Sequence, residues 1–297
     1  RAGNDAGAAK KRFEAILAKE PNNDGALLSL AQTLAQTGAA AKEVTAILER
    51  AGRANPSAVA ARIALINYLQ GSDPKAALTA AQAANAAIPN EAEILEALGL
   101  AQLGAGETNQ AITTFNNLVN VLPDSPAPLL RLASAQHAAK RPDAAIQALR
   151  KALAMKPNNP DALGMLVLVH LAAGRADEAL KEAAAVQKAW PKEAIGFVMQ
   201  GEVLAAQNRL ADAAKAYAEA ARRQSTPGLA VRRHQLLQAA KETLAADAVA
   251  AAWFKDNPKD PIVRFYLGNA ALQAKDFKSD AARYQEILAL QPGHVAV

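Results

Sequence analysis

Residues 91–123 read EAEILEALGLAQLGAGETNQAITTFNNLVNVLP. The first half sets Leu95, Leu98 and Gly99 at helical spacing, and the second sets Ala111, Phe115 and Leu118 in the same way. Gly106 stands between the halves, where a helix commonly ends with a residue of positive φ. Pro123 closes the stretch: proline cannot continue a helix, and it drives its predecessor out of the αR region. The stretch therefore reads as two helices joined by a glycine turn and stopped by proline.

The same phrase recurs along the chain. Pro21, Pro56, Pro89, Pro123, Pro157, Pro191, Pro227, Pro258 and Pro292 are separated by 35, 33, 34, 34, 34, 36, 31 and 34 residues. A step of 34 from the first unit leads to Leu129, Leu132, Ala133, Ala145, Leu149, Ala152 and Pro157. The next step leads to Leu163, Leu166, Val167, Ala179, Ala183, Val186 and Pro191. A last unit offers Leu267, Gly268, Ala281, Tyr284, Ile287, Leu288 and Pro292. Gly99, Ala133, Gly201 and Gly268 are small where a partner helix must come close, and Phe115, Tyr217 and Tyr284 fill the space between elements. Gly38, Gly71, Gly106 and Gly174 fall between helices, at places suited to a positive φ. The uneven spacing around Pro227, where Ser225 holds the expected closing position, predicts local repacking or a kink.

Composition agrees with packed helices. Hydrophobic residues make up 51% of the 297, but aromatics only 4%, so the core is built mainly from Ala and Leu. There is no cysteine, which excludes disulfides, thiolate metal sites and a cysteine nucleophile. No apolar run has the length of a membrane span. The first residue is Arg1, and the ending GHVAV reads like the start of another helix, so a segment of a longer protein is expected.

A period near 34 with these residues resembles the tetratricopeptide repeat (TPR). The resemblance implies an all-α, TPR-like α-solenoid, a right-handed superhelix of antiparallel helix pairs with no strands. It implies a single array over 1–297: a partial repeat 1–21 with its helix near 9–20, about eight helix pairs over 22–292, and a stub 293–297. More narrowly, ALINYLQGSDPKAALTAAQAANAAIP, GLAQLGAGETNQAITTFNNLV, PLLRLASAQHAAKRPDAAIQALRKALAMKP, QKAWPKEAIGFVMQGEVLAAQNRLADAAKAY and WFKDNPKDPIVRFYLGNAAL resemble the TPR protein of the bacterial exosortase/PEP-CTERM system, the PrsT type. That resemblance implies an exported envelope or periplasmic protein, in some cases a lipoprotein, tied to exopolysaccharide production and protein sorting. The lipobox cysteine that would anchor it is absent from this segment.

No constellation for catalysis, cofactor binding or metal ligation emerges. His137, His170, His234 and His294 stand apart, with no pair at ligand spacing on one helix. His170 occupies a packing position and is expected to be a buried, satisfied imidazole. Asp177 and Glu178 suit a helix start, where the dipole favours acids, better than acid–base chemistry. No GxSxG, Walker A or GxGxxG motif in a strand context occurs, so no enzyme activity is expected.

A stacked TPR array exposes its first helices in a concave groove. Transferring the inward positions gives Leu28, Gln32, Asn67, Gln70, Glu93, Glu96, Ser134, His137, Asp161, Leu168, Glu202, His234, Gln238, Phe265 and Asn269. The Lys/Asn/Lys/Arg clamp of chaperone-binding TPR domains is replaced by Glu93, Glu96, Leu130 and Gly164. Such a groove suits an extended or helical peptide better than an acidic tail. Charge is segregated: residues 76–130 hold five acids and no Lys or Arg, while 208–241 hold seven bases against two acids. Arg222, Arg223, Arg232 and Arg233 form a candidate basic patch for an anionic partner. A net charge of +5 and no aromatic platform beside the arginines argue against nucleic acid. The expected function is a non-enzymatic interaction scaffold that binds a protein segment. The alternative is direct binding of an anionic polysaccharide along the groove.

Overall fold

The computed structural model describes residues 2–273 and Gln285. Sixteen α-helices account for the described chain, with no strand among them. They are α1 (Ala2–Lys19), α2 (Asp24–Gln36), α3 (Ala41–Ala54), α4 (Val59–Gln70), α5 (Pro74–Ala87), α6 (Ala92–Gly104), α7 (Thr108–Val121) and α8 (Ala127–Ala138). There follow α9 (Pro142–Met155), α10 (Pro160–Ala172), α11 (Ala176–Ala189), α12 (Ile195–Ala206), α13 (Leu210–Arg223), α14 (Pro227–Ala239), α15 (Thr243–Asp256) and α16 (Pro261–Gln273). The leading helix begins at Ala2, earlier than the expected residue 9. Ala281, Tyr284, Ile287, Leu288, Pro292, His294 and the stub 293–297 lie outside the described residues.

The chain divides into two compact units, 1–162 and 163–297. In the first, α2 packs on α3, α4 on α5, α6 on α7 and α8 on α9, and α3, α5 and α7 each pack on the next first helix. In the second, α12 packs on α13 and α14 on α15, while α11 lies on α12 and α13 on α14.

Two local devices set the period. After the first helix, Gly38, Gly106, Lys140, Gly174, Asn208 and Lys241 adopt φ between 57° and 80°. The next amide then reaches back five residues, as in Glu107 N to Gln102 O at 2.8 Å and Arg209 N to Leu204 O at 2.9 Å. This is the Schellman closure, which satisfies a carbonyl that the helix end would leave free. Gly71 differs from expectation: its φ is −82°. There Asp73 makes the restart instead, its side chain accepting from Ala76 N at 3.0 Å with Pro74 in the first helical turn.

The second device ends the second helix. Asn55, Ile88, Leu122, Lys156, Trp190 and Asn257 cap their helices with φ between −123° and −136°, and each precedes a proline. Gln224 has the same extended form, φ −143°, but Ser225 follows it. Pro227 is thus no terminator: it lies in the first turn of α14, with Thr226 as N-cap accepting from Leu229 N at 3.3 Å. With Ser225 in the closing place, the irregular spacings of 36 and 31 become 34 and 33.

Two of the pairs are locked by a ring against a glycine. Phe115 is fully buried with its ring over Gly99, and Tyr217 lies over Gly201. A Cβ on Gly201 would stand 2.6 Å from Tyr217 Cε2, closer than side-chain carbons pack. Nearby, Gln102 and Thr114 are buried and satisfy one another at 2.8 Å.

Candidate functional site: a groove on three first helices

The sequences of α10, PDALGMLVLVHLA, and α12, IGFVMQGEVLAA, are apolar all round. One side of each packs on the second helices, and the rest is left to line a surface. Within the second unit, α10, α12 and α14 together line an open groove with a volume of about 720 Å³. Gly164, Val167, Leu168 and Leu171 supply one wall; Ile195, Val198, Met199 and Glu202 supply the floor; Arg232, Gln235 and Leu236 supply the other wall. Leu168 is 52% exposed and Ile195 37%, and both belong to the apolar lining of this one groove.

A closed polar cluster stands at the α14 wall. Arg232 Nη2 donates to Glu202 Oε2 at 2.9 Å and its Nε to Oε1 at 3.3 Å. Tyr217 donates its hydroxyl to Glu202 from the core side. Burial first, and then the hydrogen bond to Glu202, push the Tyr217 phenol up, so it stays protonated. The bond to Glu202 raises Arg232 further. The cluster is neutral as a whole, and its charges are matched within the protein.

The expected groove residues separate into several places. Glu202 and Leu168 line the groove. Gln238 is exposed on α14, and Phe265 and Asn269 are half-buried on α16. In the first unit Asn67 and Glu93 are exposed, while Leu28, Gln70, Glu96, Ser134 and His137 are half-buried; Gln32 and Asp161 are exposed. There Arg131 Nε donates to Glu96 Oε1 at 2.7 Å, linking α8 to α6 across successive first helices.

His234 is a correction. It is 5% exposed, hydrogen-bonded through Nδ1 to Tyr266 Oη at 2.8 Å, with the two rings edge-on at 5.4 Å. Counted back seven from the positive-φ residue Lys241, as Gly99, Ala133 and Gly201 are from Gly106, Lys140 and Asn208, His234 takes the place that faces the core. Burial lowers its pKa, and Asp247 opposes that only in part. His170 is buried as expected, but it is not satisfied: neither ring nitrogen has a hydrogen-bond partner, and Glu182 Oε1 is 3.9 Å from Nε2.

The candidate basic patch is not one surface. Arg232 belongs to the groove. Arg223 lies 3.7 Å over the Phe197 ring and donates to Pro191 O at 2.8 Å and to the Glu219 carboxylate at 3.1 Å. Arg222 is ion-paired with Glu219. Arg233 lines a separate cleft. Sequence reasoning missed Ile195, Val198, Leu171 and Gln235. The available signal was their spacing of three, four or seven from Leu168 and Glu202 on the same helices, or across one repeat. Among the described residues, no three His, Asp or Glu side chains converge in a way that would hold a metal, and no helix is long and apolar enough to cross a membrane.

These devices define a helical-repeat protein with a surface groove. One tetratricopeptide-repeat family model matches residues 1–59, 96–160 and 228–295, and a second matches 136–195. The chain belongs to the tetratricopeptide-repeat family, whose members are in general protein-interaction scaffolds. No curated protein matches the sequence. Among solved structures, yeast Tom70 is similar with a TM-score of 0.59 at 14% identity, over 88% of this chain and 56% of that one. This chain thus spans little more than half of the Tom70 structure. A tetratricopeptide repeat protein from Parabacteroides merdae is similar with a TM-score of 0.56 at 16% identity, over 80% of this chain and 93% of that one. These likenesses establish the fold.

Proposed function

We propose that this chain is a non-enzymatic scaffold that holds a segment of another protein in the groove of α10, α12 and α14. The observation that carries this reading is the open groove of about 720 Å³ in which Leu168 and Ile195 stand exposed beside a self-neutralised Glu202–Arg232 pair. Burying such side chains contributes about 25 cal/mol per Å² of apolar surface. The ideal occupant is therefore an apolar side of a helix or extended segment, with no strong charge where it meets Glu202 and Arg232. Sugar polymers are bound best on exposed aromatic platforms, and no aromatic side chain lines this groove.

The wider setting rests on the sequence stretches that resemble the exosortase/PEP-CTERM TPR protein. They support a place in the cell envelope, as an exported scaffold for protein sorting or exopolysaccharide production. The regular repeat supports a single array across both compact units. The test is binding of amphipathic helical peptides and of an anionic oligosaccharide to the wild type and to Leu168→Asp and Val198→Asp. Peptide binding that both variants lose, with helix content unchanged, is the expected result. Oligosaccharide binding that survives in both, without peptide binding, would replace the scaffold reading with the polysaccharide one.

A further inference from the structure

A second cleft, of about 420 Å³, opens in the same unit between the end of α13, the first turns of α14 and the face of α15. Arg233 lies along it. The repeat makes that residue unusual: Leu98, Leu132, Leu166 and Leu267 hold the equivalent place in other pairs, and the first three are buried. One pair has Gln200 there, which accepts from Gln187 at 2.9 Å. Only α14 puts a guanidinium where its relatives put a leucine or an amide.

Arg233 differs from its three neighbours in having no counter-ion. Arg222 and Arg223 are paired with Glu219, and Arg232 with Glu202. The Nε of Arg233 is shut off from solvent and has no hydrogen-bond partner. Burial, and then the charge of Arg222, disfavour its cation. A guanidinium remains charged under all ordinary conditions, so this place keeps a positive charge that is ion-paired with no carboxylate among the described residues. Around it the cleft offers the Ser225 and Thr226 hydroxyls and a wall of small residues, including Ala245, Ala248 and Ala252, with Trp253 at one side. Thr226 Oγ1 accepts from Leu229 N, which leaves its proton to donate.

We propose that this cleft binds one carboxylate, an aspartate or glutamate side chain on a segment of a partner protein, with Arg233 as its ion-pair partner and Thr226 as an additional donor. The chemistry selects a single negative charge. Among the described residues one cation of the cleft is free, where a polyanion would need a row of them, and the repulsion from Asp256 on the cleft margin grows with the charge of the ligand, so it weighs least on a single carboxylate. The alanine wall admits a close backbone beside the carboxylate, and Trp253 is pinned by its Nε1 donating to Asp260 Oδ2 at 2.6 Å. The site is separate from the groove on the first helices, so either can fail without the other.

The experiment uses the whole chain and four probes: a fluorescent alanine-based peptide with one glutamate, its glutamine twin, inorganic phosphate and oligogalacturonate. Anisotropy reads peptide binding, and Trp253 emission, with Trp190→Phe as background, reads occupation of the cleft. The expected result is saturable binding of the glutamate peptide, at least about tenfold tighter than its twin, by the usual strength of charge-assisted bonds. Arg233→Gln should abolish the difference. Ala248→Glu, which supplies a carboxylate within the cleft, should block the peptide and raise the melting temperature. If Arg233→Gln unfolds, the Ala248→Glu variant decides alone. Equal binding of the twin, or glutamate-peptide binding undiminished by Ala248→Glu, would overturn the proposal. So would saturation by phosphate or oligogalacturonate in place of the peptide.

Discussion

The pair α6–α7 and the pair α12–α13 solve one packing problem with the same lock and put it to different use. In both, a glycine on the first helix receives a ring from the second: Gly99 takes Phe115, and Gly201 takes Tyr217. Phe115 ends there, inside the core of the first unit. Tyr217 carries a hydroxyl through to Glu202, which is held in turn by Arg232 of the next first helix. One added oxygen thus couples the interior of a repeat to the wall of the groove. In the first unit the ion pair between successive first helices, Glu96 with Arg131, has no such tie to the core. The lesson is that the lock sets the fold, while the polar groups attached to it set the character of the surface.

The largest expected effect tests the lock itself. Phe115→Ala should cost about 3–5 kcal/mol by the scale of core truncations. Hydrogen exchange should show the loss concentrated in α6 and α7, since stability in a repeat protein is largely a matter between neighbours. A loss near zero would mean that the ring is not holding the pair.

Next come the glycines. Gly99→Ala and Gly201→Ala each force a carbon into a ring and should cost about 1–3 kcal/mol in denaturant unfolding, the usual range of overpacking. The tethered Tyr217 has less freedom to yield than Phe115. Gly201→Ala should therefore be partly relieved by Tyr217→Phe, a coupling measurable in a double-mutant cycle. Strict additivity would break the distinction between the two locks.

Tyr217→Phe alone converts the second lock into the first. It should cost about 1 kcal/mol, a typical net hydrogen-bond contribution. It also carries a pH signature. The folded phenol is raised above its ordinary value of 10.0, so its contribution is complete below pH 10 and is lost as pH rises beyond it. Alkaline destabilisation should be shallower in Tyr217→Phe than in the wild type.

His234 gives the opposite sign. Its folded pKa lies below 6.5, so its contribution is complete above that pH and is lost as acid protonates the unfolded chain first. His234→Gln should flatten the acid side of the stability curve below about pH 6.5. The smallest effect belongs to the exposed pair: Glu96→Gln should change stability by no more than about 1 kcal/mol, and less at high salt.

The period was legible in the sequence because its signals are chemical absolutes. A proline cannot donate a hydrogen bond, and a glycine opposite a phenylalanine leaves a hole that the ring fills. Those facts, repeated near 34 residues, specified helix pairs and the burial of Phe115. Pro227 misled because proline is as well suited to the first turn of a helix as to the position after its end. Only the packed chain shows which, and it also places His234 in the core and not on the surface. The groove was half legible: Glu202 and Leu168 could be placed by repeat position, but it also needs Ile195, Val198 and Gln235, whose convergence depends on how three helices sit together. Charge was the least legible property of all. Four arginines within twelve residues look alike in a sequence, yet three meet a carboxylate and one does not. Local covalent and steric rules act over a few residues and can be read one at a time. The pairing of charges is decided by side chains brought together from different helices, so it exists only in the folded molecule.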